Sequence, residues 1–114
     1  MTDQSGPRRE LERTQHGAGF AAEQARIALT AETPAEGLRA AILALATARG
    51  TDSSTCPSDA ARAVAADWRP LMPEALKLAR DLARGGQVEL SQRGEPLDPD
   101  GRWRGPIRIR LPRP

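Results

Sequence analysis

A chain of 114 residues with a formal net charge of +2 carries one small domain's worth of sequence, and with 39% hydrophobic and 3% aromatic residues its core has to be built from Leu, Ile, Val and many Ala. Such a core is thin, so modest stability is expected. A single cysteine, Cys56, excludes an internal disulfide and a multi-Cys metal cluster. The apolar run from Ala40 to Ala48 is too short to span a membrane, and the polar start Met1 to Glu10 is no signal peptide, so a cytoplasmic protein without membrane contact is expected.

Residues 1–19 are polar and broken by Gly6, Pro7, Gly17 and Gly19, which reads as a mobile tail or a frayed helix. Phe20 to Ala31 fits a short helix with Phe20, Gln24, Ile27, Ala28 and Ala31 on one face, marginal unless it docks. Residues 1–33 are therefore expected to be an N-terminal extension, partly disordered or one marginal helix, ahead of a domain over 34–112. Thr33-Pro34 is an N-cap followed by proline at the first helical position. From there Leu38, Ala41, Ile42, Leu45 and Ala48 keep helical spacing until Arg49-Gly50 closes the element.

Thr51 to Thr55 is a polar connector with room for a very short strand. Cys56-Pro57-Ser58-Asp59 opens the next helix, whose apolar face is Ala61, Val64, Ala65 and Trp68. After the turn at Arg69-Pro70, Met72, Ala75, Leu76, Ala79, Leu82 and Ala83 form the best amphipathic stripe in the chain, ended by Gly85-Gly86. Val88 and Leu90 alternate with polar neighbours as an outgoing strand. Arg93 to Gly101 reads as a turn-rich loop too long for a tight hairpin. On the return, Trp103, Ile107, Ile109 and Leu111 fall on one face and Arg102, Arg104, Arg108 and Arg110 on the other, the alternation of a half-buried strand. The expected fold is α+β: a winged helix-turn-helix-like core of three helices with a C-terminal β-hairpin wing, plus the flexible or helical N-terminal extension.

Two segments carry a family likeness. Ser54 to Arg62 ahead of Trp68-Arg69-Pro70-Leu71-Met72, followed by Asp98 to Arg110, resembles a bacterial family known as domain of unknown function 3253, over roughly residues 35–112. The resemblance implies a small winged-helix-like bacterial domain and supplies no activity.

Charge is distributed unevenly. Residues 1–50 hold six Arg and six acids, residues 51–100 six bases and nine acids, and the last fourteen five Arg and no acid. Arg102, Arg104, Arg108 and Arg110 could therefore follow a phosphate backbone, alternate strand residues standing about 7 Å apart. The plainer reading makes them the solvent side of a sheet, with Glu89 and Glu95 as cross-strand partners. The third helix adds Lys77 and Arg80 as candidate contacts. Its first turn, however, presents Leu71, Met72, Pro73 and Glu74 rather than base-reading side chains, and Glu74 and Asp81 offset its cations. Trp103 between two arginines could stack on a base, but a lone Trp on the apolar side of a strand more often caps a core, as does Trp68.

Cys56 before a helix N-terminus would need a base to act as a nucleophile, and the only histidine, His16, lies in the expected tail. Asp98 and Asp100 around Pro99 resemble a turn rather than paired catalytic acids. No catalytic, cofactor or metal residues are assigned. The leading expectation is a non-catalytic module binding nucleic acid weakly and without sequence preference through the hairpin arginines. The alternative is a protein–protein interaction module with no nucleic-acid role.

Overall fold

The computed structural model describes residues 6–113. Five helices come first: α1 (Gly6–Thr14), α2 (Phe20–Thr30), α3 (Pro34–Arg49), α4 (Pro57–Val64) and α5 (Met72–Arg84), with one 3-10 turn at Arg69–Leu71 leading into α5. Three short strands follow, β1 (Glu89–Gln92), β2 (Glu95–Pro96) and β3 (Arg108–Arg110). They form an antiparallel sheet in the order β2-β1-β3, so the class is α+β. Among the described residues no helix is long and apolar enough to cross a membrane.

The centre of the molecule is α3. Thr33 caps it, its hydroxyl accepting from the Glu36 amide, and every residue from Gly37 to Ala46 except Arg39 is buried. A helix covered nearly all round needs neighbours on several sides, and α2, α4, α5 and β3 all pack on it. Leu38, Ile42, Leu45, Leu82, Val88, Ile107 and Ile109 share one core, with Val64, Trp68 and Leu76 half-buried against it. These are the apolar faces of the expected three-helix-plus-hairpin unit.

The elements α3, connector, α4, α5 and hairpin come in the expected order, and the connector does touch the sheet. Thr55 pairs antiparallel with Ile109, each amide donating to the other's carbonyl at 2.7 Å. In register, Leu90 faces Ile109, Glu89 faces Arg110 and Ser91 faces Arg108.

Two expectations for the hairpin give way. The segment after β1 is not a long open loop: Gln92 pairs with Glu95 across the two-residue turn Arg93-Gly94, whose φ values are 53° and 83°. Two left-handed residues make the turn whose twist matches a hairpin, and glycine adopts that region without a steric penalty. The return strand is regular only from Arg108 to Arg110. Gly105 (φ 86°) and Pro106 break it, and the carbonyls of Arg104 and Pro106 accept from the Gln92 side chain instead of a strand.

The N-terminal third differs most. Of the two readings of residues 1–19, a mobile tail or a frayed helix, the helix holds over Gly6–Thr14, which is α1, but with Leu11 fully buried in the common core (residues 1–5 lie outside the described residues). In α2 the buried residues are Ala22, Ala25 and Ala28, while Phe20 and Ile27 point outward, 48% and 43% exposed. Alanines let α2 approach the alanine-rich α3 closely, and a bulky residue on that face would hold the helices apart. Because Leu11 has no exposed surface, Leu11→Ala should cost about 2–5 kcal/mol of unfolding free energy in a urea titration. An unchanged midpoint would show that α1 contributes nothing to the core.

Candidate nucleic-acid interface

Between β2 and β3 the chain has few ladder partners, so its backbone carbonyls need other donors. Arg80 of α5 supplies them, donating to the carbonyls of Pro99 at 2.7 Å and Gly101 at 2.9 Å. Its guanidinium also lies 4.0 Å from the centre of the Trp103 ring, which packs against the core and donates its indole N–H to the Asp98 carbonyl. Asp98 folds the turn from within, accepting from the Asp100 amide through its side chain and from the Gly101 amide through its carbonyl. Arg84 joins Asp100 to Asp81. The loop that carries Arg102 and Arg104 is thereby fastened along α5.

This arrangement sorts the six candidate arginines and lysine. Arg80 is a tie between helix and loop, and Lys77 pairs with Asp81 at 3.4 Å. Arg108 is also a tie: its Nε donates to the Ser54 hydroxyl at 2.8 Å and its Nη2 to the Ser54 carbonyl at 3.1 Å. Arg102 and Arg104 are exposed, and Arg110 is half-buried. Among the described residues these three side chains make no hydrogen bond or ion pair, and Arg110 forms none with Glu89 opposite it. The same holds for Arg93, exposed at the tip of the β1–β2 turn. Arg93 was missing from the sequence-derived set: of the turn pair only Gly94 is a usual turn residue, and the two-residue β2 with its Pro96 gives little strand signal.

The other polar cluster serves the fold. Arg49, at the end of α3, donates to both carboxylate oxygens of Glu10 (2.7 and 3.1 Å), to Asp59 Oδ2 at 3.0 Å and to the Ser54 carbonyl at 3.0 Å. The buried Thr55 hydroxyl donates to the same Asp59 oxygen at 2.8 Å. The Glu10 hydrogen bond chiefly raises the Arg49 pKa, burial opposing it and the Glu10 and Asp59 charges adding to it. Burial alone would raise the Asp59 carboxyl, but the Thr55 hydroxyl, the Arg49 charge and hydrogen bond, and the Cys56 thiol together hold it below 3.8. Cys56 stands just ahead of α4 with its sulfur 3.1 Å from the Ser58 hydroxyl, and His16 is exposed beyond α1.

An apolar groove of about 290 Å3 runs beside the loop, lined by Cys56, Pro57, Met72, Leu76, Pro106 and Ile107. Among the described residues no three His, Cys, Asp or Glu side chains converge as metal ligands would. A family model described as a protein of unknown function, DUF3253, matches residues 35–112. No curated protein matches the chain.

Because the folded-state pKa of Asp59 is depressed, its stabilising contribution is present above the unfolded value near 3.8 and disappears as pH falls through the folded value. Asp59→Asn should therefore destabilise the protein by about 2–3 kcal/mol at neutral pH, the usual cost of losing hydrogen bonds to a charged group. Its midpoint should also fall less than that of the unaltered chain on titration below pH 3.8. Parallel pH profiles would contradict this role.

Proposed function

The chain belongs to the family of proteins of unknown function DUF3253, and on that premise we propose that it is a non-catalytic winged-helix module that binds nucleic acid weakly through its hairpin and the loop behind it. Residues 34–112 form the winged-helix unit, with α1 and α2 as an added helical layer. One observation carries the reading: the cations of α5 are all engaged within the protein, whereas Arg93, Arg102, Arg104 and Arg110 are not. An arginine without an internal partner keeps its donors for a phosphate oxygen, and contacts of that kind fix position without reading sequence. The first turn of α5 offers Met72, Pro73 and Glu74, so base-edge recognition is not part of the proposal.

A second reading rests on a separate feature. Phe20 and Ile27 stand on the outer face of α2, about two helical turns apart and both largely exposed, as a protein-docking module would present them.

Fluorescence anisotropy with a labelled duplex of mixed sequence at low salt separates the two. The combined change Arg102→Gln, Arg104→Gln and Arg110→Gln should weaken binding and flatten the log–log salt dependence by about 0.9 for each phosphate contact removed. Lys77→Gln should leave the slope unchanged, since Lys77 is already paired. Absence of binding to both duplex and single-stranded probes would eliminate the nucleic-acid reading and leave the docking module.

A further inference from the structure

Resting on the nucleic-acid reading above, we infer that the ligand of the hairpin surface is double-helical rather than single-stranded nucleic acid, held by its phosphates alone. Proteins that bind single strands without sequence preference combine a basic groove with aromatic rings on which bases stack. This chain has three aromatic residues in all, Phe20, Trp68 and Trp103. Trp103, the one that lies among the candidate arginines, is committed to the fold three times over. Its ring packs on the core, Arg80 stands 4.0 Å from its centre, and its N–H is bound to the Asp98 carbonyl at 3.1 Å. Trp68 is likewise packed on the core and carries Arg69 at 4.7 Å from its ring centre. Phe20 begins α2, which belongs to the helical layer rather than to the hairpin.

With no ring of the hairpin offered to bases, affinity there reduces to charge, and charge favours the duplex. Each neutralised phosphate contributes about 0.9 to the salt slope on B-form DNA and about 0.7 on a single strand, because the duplex condenses more counterions. The backbone of the loop that carries Arg102 and Arg104 is also held in place. Arg80 and Arg84 fix the loop at Pro99, Asp100 and Gly101, and the Gln92 amide secures the carbonyls of Arg104 and Pro106. An anchored backbone that presents arginines suits a double helix, whose phosphates are regularly spaced, more than a pliant single strand that needs stacking to order it.

The test uses the full chain with four labelled probes of about 20 nucleotides or base pairs: duplex DNA, duplex RNA and a single strand of each, at about 20 mM salt and across a salt series. Binding of either duplex about ten-fold or more tighter than its own single strand supports the inference, and the DNA and RNA arms show which helix is preferred. The duplex slope should be about 3–4, matching the four arginines, and Trp103→Leu, which keeps an apolar side chain against the core but removes the ring, should leave the single-strand affinity unchanged. Equal or tighter binding of single strands, or loss of their binding on replacing Trp103, overturns the duplex assignment while the nucleic-acid reading stands. Binding of none of the four probes overturns both.

Discussion

Arg49 is the point at which the helical layer, the central helix and the sheet are joined. It sits at the C-terminal end of α3, where the helix dipole favours a cation, and takes Glu10 from α1, Asp59 from α4 and the Ser54 carbonyl from the connector. A partly buried guanidinium is tolerable only with its donors satisfied, so these contacts are mutually required. Fixing Ser54 and Asp59 places Thr55 between them, and Thr55 pairs with Ile109. Ser54 in turn receives Arg108 from β3. The position of the hairpin against the helices thus traces back through two residues of the connector to one arginine.

Alanine composition has a consequence of its own. Small side chains allow α2 and α3 to approach closely, but each buries little apolar area, so packing alone stabilises the domain modestly. Arginine supplies part of the remaining connectivity: Arg49 joins helices to connector, Arg80 joins α5 to the loop, and Arg108 joins β3 to the connector. Sixteen arginines are therefore not one population. Some complete the fold, and those on the outer hairpin surface have their donors left over.

The core was legible because its elements have strong periods. Thr33-Pro34 and Gly50 bound α3 where the sequence places them, α5 buries Ala75, Ala79 and Leu82 of its expected stripe and Leu78 beside them, and Ile107 and Ile109 point inward while Arg108 points out. The N-terminal helices were not, because the pattern there is carried by alanines. On α2 the bulky residues Phe20 and Ile27 suggest one face, and the close-packed alanines select another. Leu11 is a single apolar residue in a polar stretch, and only the surrounding α2, α3 and α4 make it a core residue. The candidate surface was half legible. Alternation placed Arg108 and Arg110 on the return strand, but Arg102 and Arg104 lie in the loop before it; pairing is a tertiary fact, and no local pattern showed that Arg80 would hold two carbonyls or that Arg108 would reach Ser54.

Fold and candidate site meet in the distinction between arginines that hold the protein together and arginines that remain for a ligand. The side-chain Nε–Hε resonances of assigned arginines, followed by heteronuclear NMR during titration with a DNA duplex, report on each one separately. The account predicts shifts for Arg93, Arg102, Arg104 and Arg110, with Arg49, Arg80 and Arg108 unmoved. Shifts confined to the α5 arginines, or no arginine shift at all, would contradict it.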